Sequence, residues 1–68
     1  MYNFLFEDCI DGGFFFVQCD TLDEAYDIIW EELACEHPGC NYDTLALDYD
    51  YLGEYTDAQA EMMGYDTF

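Results

Sequence analysis

Tyr2-Asn3-Phe4-Leu5-Phe6-Glu7-Asp8-Cys9-Ile10-Asp11-Gly12-Gly13-Phe14-Phe15-Phe16-Val17-Gln18-Cys19 is the stretch that decides the fold. Aromatic residues crowd both sides of Asp11-Gly12-Gly13, a turn signal in which Gly takes positive φ without steric cost. The stretch predicts a β-hairpin. With Asp11-Gly12 as a two-residue turn, Phe6 falls opposite Val17 and Phe4 opposite Cys19. Phe4, Phe6, Phe15 and Val17 then share one face, while Leu5, Glu7, Phe14, Phe16 and Gln18 share the other. Both faces are partly apolar, so each requires a cover.

The cover for one face follows at once. Thr21-Leu22-Asp23-Glu24 reads as a capping box opening a helix, in which the Thr21 hydroxyl accepts from the Glu24 amide. The helix is expected to run to about His37 and to stop at Pro38-Gly39. Leu22, Ala25, Tyr26, Ile29, Trp30 and Leu33 gather on one arc of its wheel, and Asp23, Glu24, Asp27 and Glu31 on the opposite arc. Further on, Tyr42–Leu52 alternates. Leu45, Leu47, Tyr49 and Tyr51 fall to one side and Thr44, Ala46, Asp48 and Asp50 to the other, which predicts a third strand. Thr56-Asp57-Ala58-Gln59 repeats the capping-box pattern and opens a short C-terminal helix, with Gly64 placed for a left-handed cap.

The expected architecture is a single α+β domain over residues 1–68, in the order ββαβα. A three-stranded antiparallel sheet of order 2-1-3 packs on one main helix. The short C-terminal helix either folds back on the sheet or leaves its open face for a second copy of the chain, so monomer and homodimer are both expected states.

Charge decides the function classes. The chain carries 17 Asp and Glu and no Lys or Arg, a formal net charge of −17. A disordered acidic tail does not account for it, because hydrophobic residues make up 53 % and aromatics 21 % of the sequence, and disordered chains are poor in both. With no cation to neutralise phosphate, direct nucleic-acid binding is not expected, nor is binding to anionic membranes. The longest apolar run, Phe14–Val17, is far too short for a signal peptide or a span. The expected location is the cytoplasm, where the four Cys stay reduced. Partners are instead expected to be strongly basic, above all proteins that grip nucleic acid.

Two acidic rows are candidate contact surfaces. Asp23, Asp27 and Glu31 recur at i, i+4 and i+8, with Glu24 beside them, stacking like charges where Lys partners would stabilise the helix. Asp48 and Asp50 project from the third strand, joined by Glu7 if the first strand is its neighbour and flanked by Asp43 and Glu54. Tyr42, Tyr55 and Tyr65 are candidate anchors for guanidinium groups. Metal chemistry is poorly supplied. Asp48-x-Asp50-x-x-Gly53 opens like an EF-hand loop, but Leu52 and Gln59 occupy positions that need oxygen ligands and a bidentate Glu. Cys35-x-His37-x-x-Cys40 offers three zinc ligands at a spacing that matches no common knuckle. No cofactor or metal is expected, and one His with no Lys or Arg leaves little for catalysis, so the expectation is a non-enzyme.

In whole-chain character (size, charge, aromatic α+β pattern, lack of catalytic equipment) the chain resembles the small acidic phage-encoded inhibitors that imitate DNA, of the anti-CRISPR and anti-restriction type. The resemblance implies a protein in the cytoplasm of an infected bacterium that occupies the cation-lined groove of a host defence complex and blocks DNA binding. In a CRISPR effector that groove is the region that reads the PAM or admits the duplex. An antitoxin, an immunity protein or another acidic module that neutralises a basic partner would use the same electrostatics.

Overall fold

The computed structural model describes residues 1–9, 11–32 and 42–68. Strand β1 (Tyr2–Asp8) pairs antiparallel with β2 (Phe14–Cys19), and α1 (Leu22–Glu32) follows. After a 3-10 turn at Tyr42–Thr44 come α2 (Leu45–Asp48), β3 (Tyr49–Tyr55), α3 (Asp57–Met63) and β4 (Asp66–Thr67). The expected helix end near His37, Leu33, and the zinc reading of Cys35, His37 and Cys40 lie outside the described residues.

The hairpin forms with a different register. Phe6 lies opposite Phe15 and Phe4 opposite Val17, so the expected pairing with Val17 and Cys19 is corrected. The ladder ends at Asp8 and Gly13, whose amide and carbonyl bond at 2.7 Å. The Asp8 carboxylate accepts from the Asp11 amide at 3.1 Å, an Asx-type bond that fastens a longer reversal than Asp11-Gly12 alone. Because the register moves by an even number of residues, every side chain keeps its face. Phe4, Phe6, Phe15 and Val17 indeed share the main core with Ala25 and Ile29 of α1, and Leu22, Tyr26 and Trp30 pack against it.

The third strand is corrected more deeply. Residues 42–48 are helical, and β3 runs on past Gly53 to Tyr55. Leu45 and Tyr49 are both buried, as the alternating pattern required, but they are also four apart, which is helical spacing. Leu47, expected on the same side, is 77 % exposed. The Leu-Ala-Leu run has strong helix formers and no β-branched residue to resist the turn.

β3 joins the free edge of β1 antiparallel, giving the expected neighbour, but β4 adds parallel to β2, so the sheet is mixed and four-stranded in the order β3-β1-β2-β4. Between Leu5↔Gly53 and Phe6↔Tyr51 the register shifts by one, leaving Leu52 as an extra residue. Gly53 has φ 144°, a value open to glycine at little cost, and its place beside the bulge explains why pairing continues where the sequence reading ended the strand.

The second face is closed by the chain itself. Thr56 and Gln59 form the full capping box and Gly64 is the left-handed cap, as expected. The Asn3 amide nitrogen donates to the Asp57 carboxylate at 2.7 Å, tying α3 back to β1. Phe16 is buried between Tyr55 and Tyr65, with ring centroids at 5.9 and 6.0 Å. The Phe68 amide bonds the Phe16 carbonyl, and the Gln18 amide bonds the Phe68 carbonyl. Aromatic side chains thus do the work of a second helical layer.

Candidate functional site: the acidic surfaces

α1 turns its carboxylates outward because its apolar arc is spent on the sheet. Ala25 and Ile29 are buried, while Asp23, Glu24, Asp27 and Glu31 are all exposed, as the wheel predicted. The Glu24 amide donates to the Thr21 hydroxyl oxygen at 3.2 Å and fixes the first turn. Asp23 and Glu24 there face the positive end of the helix dipole, the favourable end for an anion.

Asp43 joins this row rather than the strand row. The 3-10 turn lays Tyr42 across α1, and its hydroxyl donates to the Asp27 carboxylate at 2.5 Å. Asp23, Tyr26, Tyr42 and Asp43 then line a hollow of about 250 Å³ with Leu45 and Ala46. The Tyr42 phenol is held above its ordinary pKa, first by the bond to Asp27, then by desolvation and the charges of Asp27 and Asp23.

The strand row is only partly assembled. Glu7 lies opposite Asp50 on the neighbouring strand, as the sequence anticipated. Asp48, however, is the last residue of α2 and not a strand partner of Asp50. Its carbonyl accepts from the Cys9 amide at 2.9 Å. The Glu7 and Asp50 carboxylates and the Cys9 sulfur lie within 4.8 Å of one another. Desolvation, then the Asp50 charge, raises the Cys9 thiol pKa. Asp50 and Gly53 both sit in the β1–β3 ladder, which removes the EF-hand reading: a calcium loop needs those residues free to wrap an ion.

Glu54 is separated from Asp50 by the bulge. Without it the two would share a face, four residues apart; with it, Glu54 lies opposite Phe4, a core-face residue. Glu54 instead lines a groove with Tyr2, Tyr55, Thr56, Asp57 and Gln59.

Asp57 and Glu61 were missed by the sequence reading. They line a groove of about 420 Å³ with Asn3, Gln18, Ala60, Gly64, Tyr65 and Thr67. Asp57 was visible as the residue after a helix cap, but its place beside Asn3 depends on the strand register. Of the three tyrosines, Tyr55 and Tyr65 pack on Phe16, and Tyr65 also stacks on Phe14. Tyr42 instead donates its hydroxyl to a carboxylate, that of Asp27.

Among the described residues no helix is long and apolar enough to cross a membrane. Comparison with protein families, curated proteins and solved structures finds no matching family model and no significant match among either proteins or structures.

Proposed function

We propose that this protein is an acidic DNA-mimic inhibitor that binds a cation-lined nucleic-acid groove through the α1 row. The observation that carries the reading is an exposed helical line of Asp23, Asp27 and Glu31 in a chain with no Lys or Arg. Successive carboxylates at i, i+4 and i+8 rise by about 6 Å. That is close to every second phosphate of one DNA strand, at about 3.4 Å per step. Asp43, drawn beside the row by the 3-10 turn, broadens it.

The mechanism is competitive. Arg and Lys that normally hold phosphates engage the carboxylates instead, and Arg can do so bidentately. Long-range attraction speeds encounter and weakens with salt. The target proposed is the duplex or PAM-reading region of a CRISPR effector, where such cations are concentrated.

Two triple charge reversals test this. Asp23→Lys, Asp27→Lys and Glu31→Lys together should abolish the block on target-DNA binding in a gel-shift assay, with circular dichroism unchanged. Glu7→Lys, Asp48→Lys and Asp50→Lys together should leave most of it. Full inhibition by the α1 variant would overturn the reading.

A further inference from the structure

We propose that the hollow between α1 and the Tyr42–Ala46 segment is a seat for one guanidinium group, an arginine side chain of the basic partner. The inference rests on the partner being basic, as proposed above, and names the group that the surface selects.

The hollow is built for a flat cation on an apolar stem. Its volume of about 250 Å³ falls below the roughly 300–1,000 Å³ of small-molecule pockets, which suits a single side chain. Ala46, which is exposed, offers apolar surface to a methylene stem over a floor closed by buried Leu45. Tyr26 and Tyr42 supply aromatic surface for a cation. Asp23 and Asp43 belong to the same lining, and Asp27 is held at its border by the Tyr42 hydroxyl.

The Tyr42 ring is set before any ligand arrives. Its hydroxyl is bonded to Asp27, and its ring meets Trp30 edge-on at 5.9 Å and 77°. A ring already held in place saves the ordering cost that weakens most surface contacts. Phosphate and carboxylate ligands are repelled by the same lining. A neutral ligand would gain nothing from the negative potential of the carboxylates. Lysine matches the charge but lacks the planar fork that can reach carboxylates on two sides while stacking on a ring.

The probe is Nα-acetyl-arginine N-methylamide, compared with the lysine and citrulline counterparts in about 150 mM NaCl. Two-dimensional amide NMR and the fluorescence of Trp30, the chain's single tryptophan, report binding. The arginine compound should give saturable shifts confined to Asp23, Tyr26, Tyr42, Asp43, Leu45 and Ala46. Lysine should bind more weakly and citrulline not at all. Tyr42→Ala should weaken arginine binding about two- to fivefold, the range expected for an exposed cation–π contact. Should Tyr42→Ala disturb the fold, Asp23→Asn, which is nearly isosteric, should weaken binding in its place. Shifts that spread without saturation to Glu54 and Glu61, or equal responses to arginine and lysine, would overturn the seat. Loss of the seat with intact inhibition would leave the groove-blocking reading standing. Arginine bound in the hollow while the α1 triple variant still inhibits would remove that reading and keep the seat.

Discussion

Glu7 and Asp50 stand directly opposite each other on neighbouring antiparallel strands, two like charges in a chain with no Lys or Arg to set between them. Directly opposed like charges destabilise a sheet by roughly 0.2–1 kcal/mol, and solvent screening at exposed Asp50 favours the lower end. Asp50→Asn should therefore raise the urea midpoint in low salt, and the gain should shrink in 0.5 M NaCl. The same change removes a charge that raises the Cys9 thiol pKa, so Cys9 should react faster with a thiol reagent at pH 8. Peptide mapping by mass spectrometry would follow it.

The repulsion is not confined to that pair. A net charge of −17 acts against the folded state over a small surface, and screening relieves it with a Debye length of about 10 Å at 0.1 M salt. The melting temperature should climb by a few degrees between 10 and 200 mM NaCl, about the change that 1 kcal/mol produces in a domain of this size. A scan showing a fall would contradict this account.

Tyr42 should titrate late. Its raised phenol pKa comes first from the bond to Asp27, so Asp27→Asn should bring it down toward the ordinary tyrosine value near 10. A folded-state pKa above the unfolded one gives stability that is complete below the unfolded pKa. It is lost as pH rises through the folded one, because the unfolded chain releases its proton first. Asp27→Asn should flatten that alkaline loss. Ring-resonance NMR can separate Tyr42 from Tyr26, whose pKa is raised chiefly by burial.

Phe16 tests whether the second face is a true core. Its ring is fully buried against Tyr55 and Tyr65, and truncation of such a residue costs about 3–5 kcal/mol. That is a large share of the stability of a small domain, roughly 0.05–0.15 kcal/mol per residue. Phe16→Ala should be largely unfolded by circular dichroism, while Phe16→Leu should stay folded with a lower midpoint. A nearly unchanged midpoint for Phe16→Ala would mean that the face is not packed.

The sequence made local features legible where one chemical reason sufficed. The caps at Thr21 and Thr56, the Gly64 stop and the two faces of the hairpin all rest on neighbours within a few residues. The outward row on α1 follows from a wheel whose apolar arc had to face the sheet. Errors arose where two periods agreed on the same residues. Leu45 and Tyr49 fit a strand as well as a helix, and Leu47 was the position that separated the readings. The placement of Asp43 and Glu54 was beyond reach for another reason: each depends on a local break, the 3-10 turn in one case and the extra residue in β3 in the other. Asp57 was missed because its partner, Asn3, lies at the far end of the chain.

The extra residue at Leu52 has an effect that no side chain could supply. Were Leu52 to take a place in the ladder opposite Leu5, the far half of β3 would turn over, swinging Glu54 to the side of Asp50 and pulling Tyr55 away from Phe16. One residue left out of the pairing thus divides the anions between the two sides of the sheet while keeping an aromatic lid in place. Where negative charge sits on this edge is written in which residue the ladder skips, and deletion of Leu52 should leave Glu54 opposite Phe4 and Tyr55 opposite Asn3, the faces they now hold.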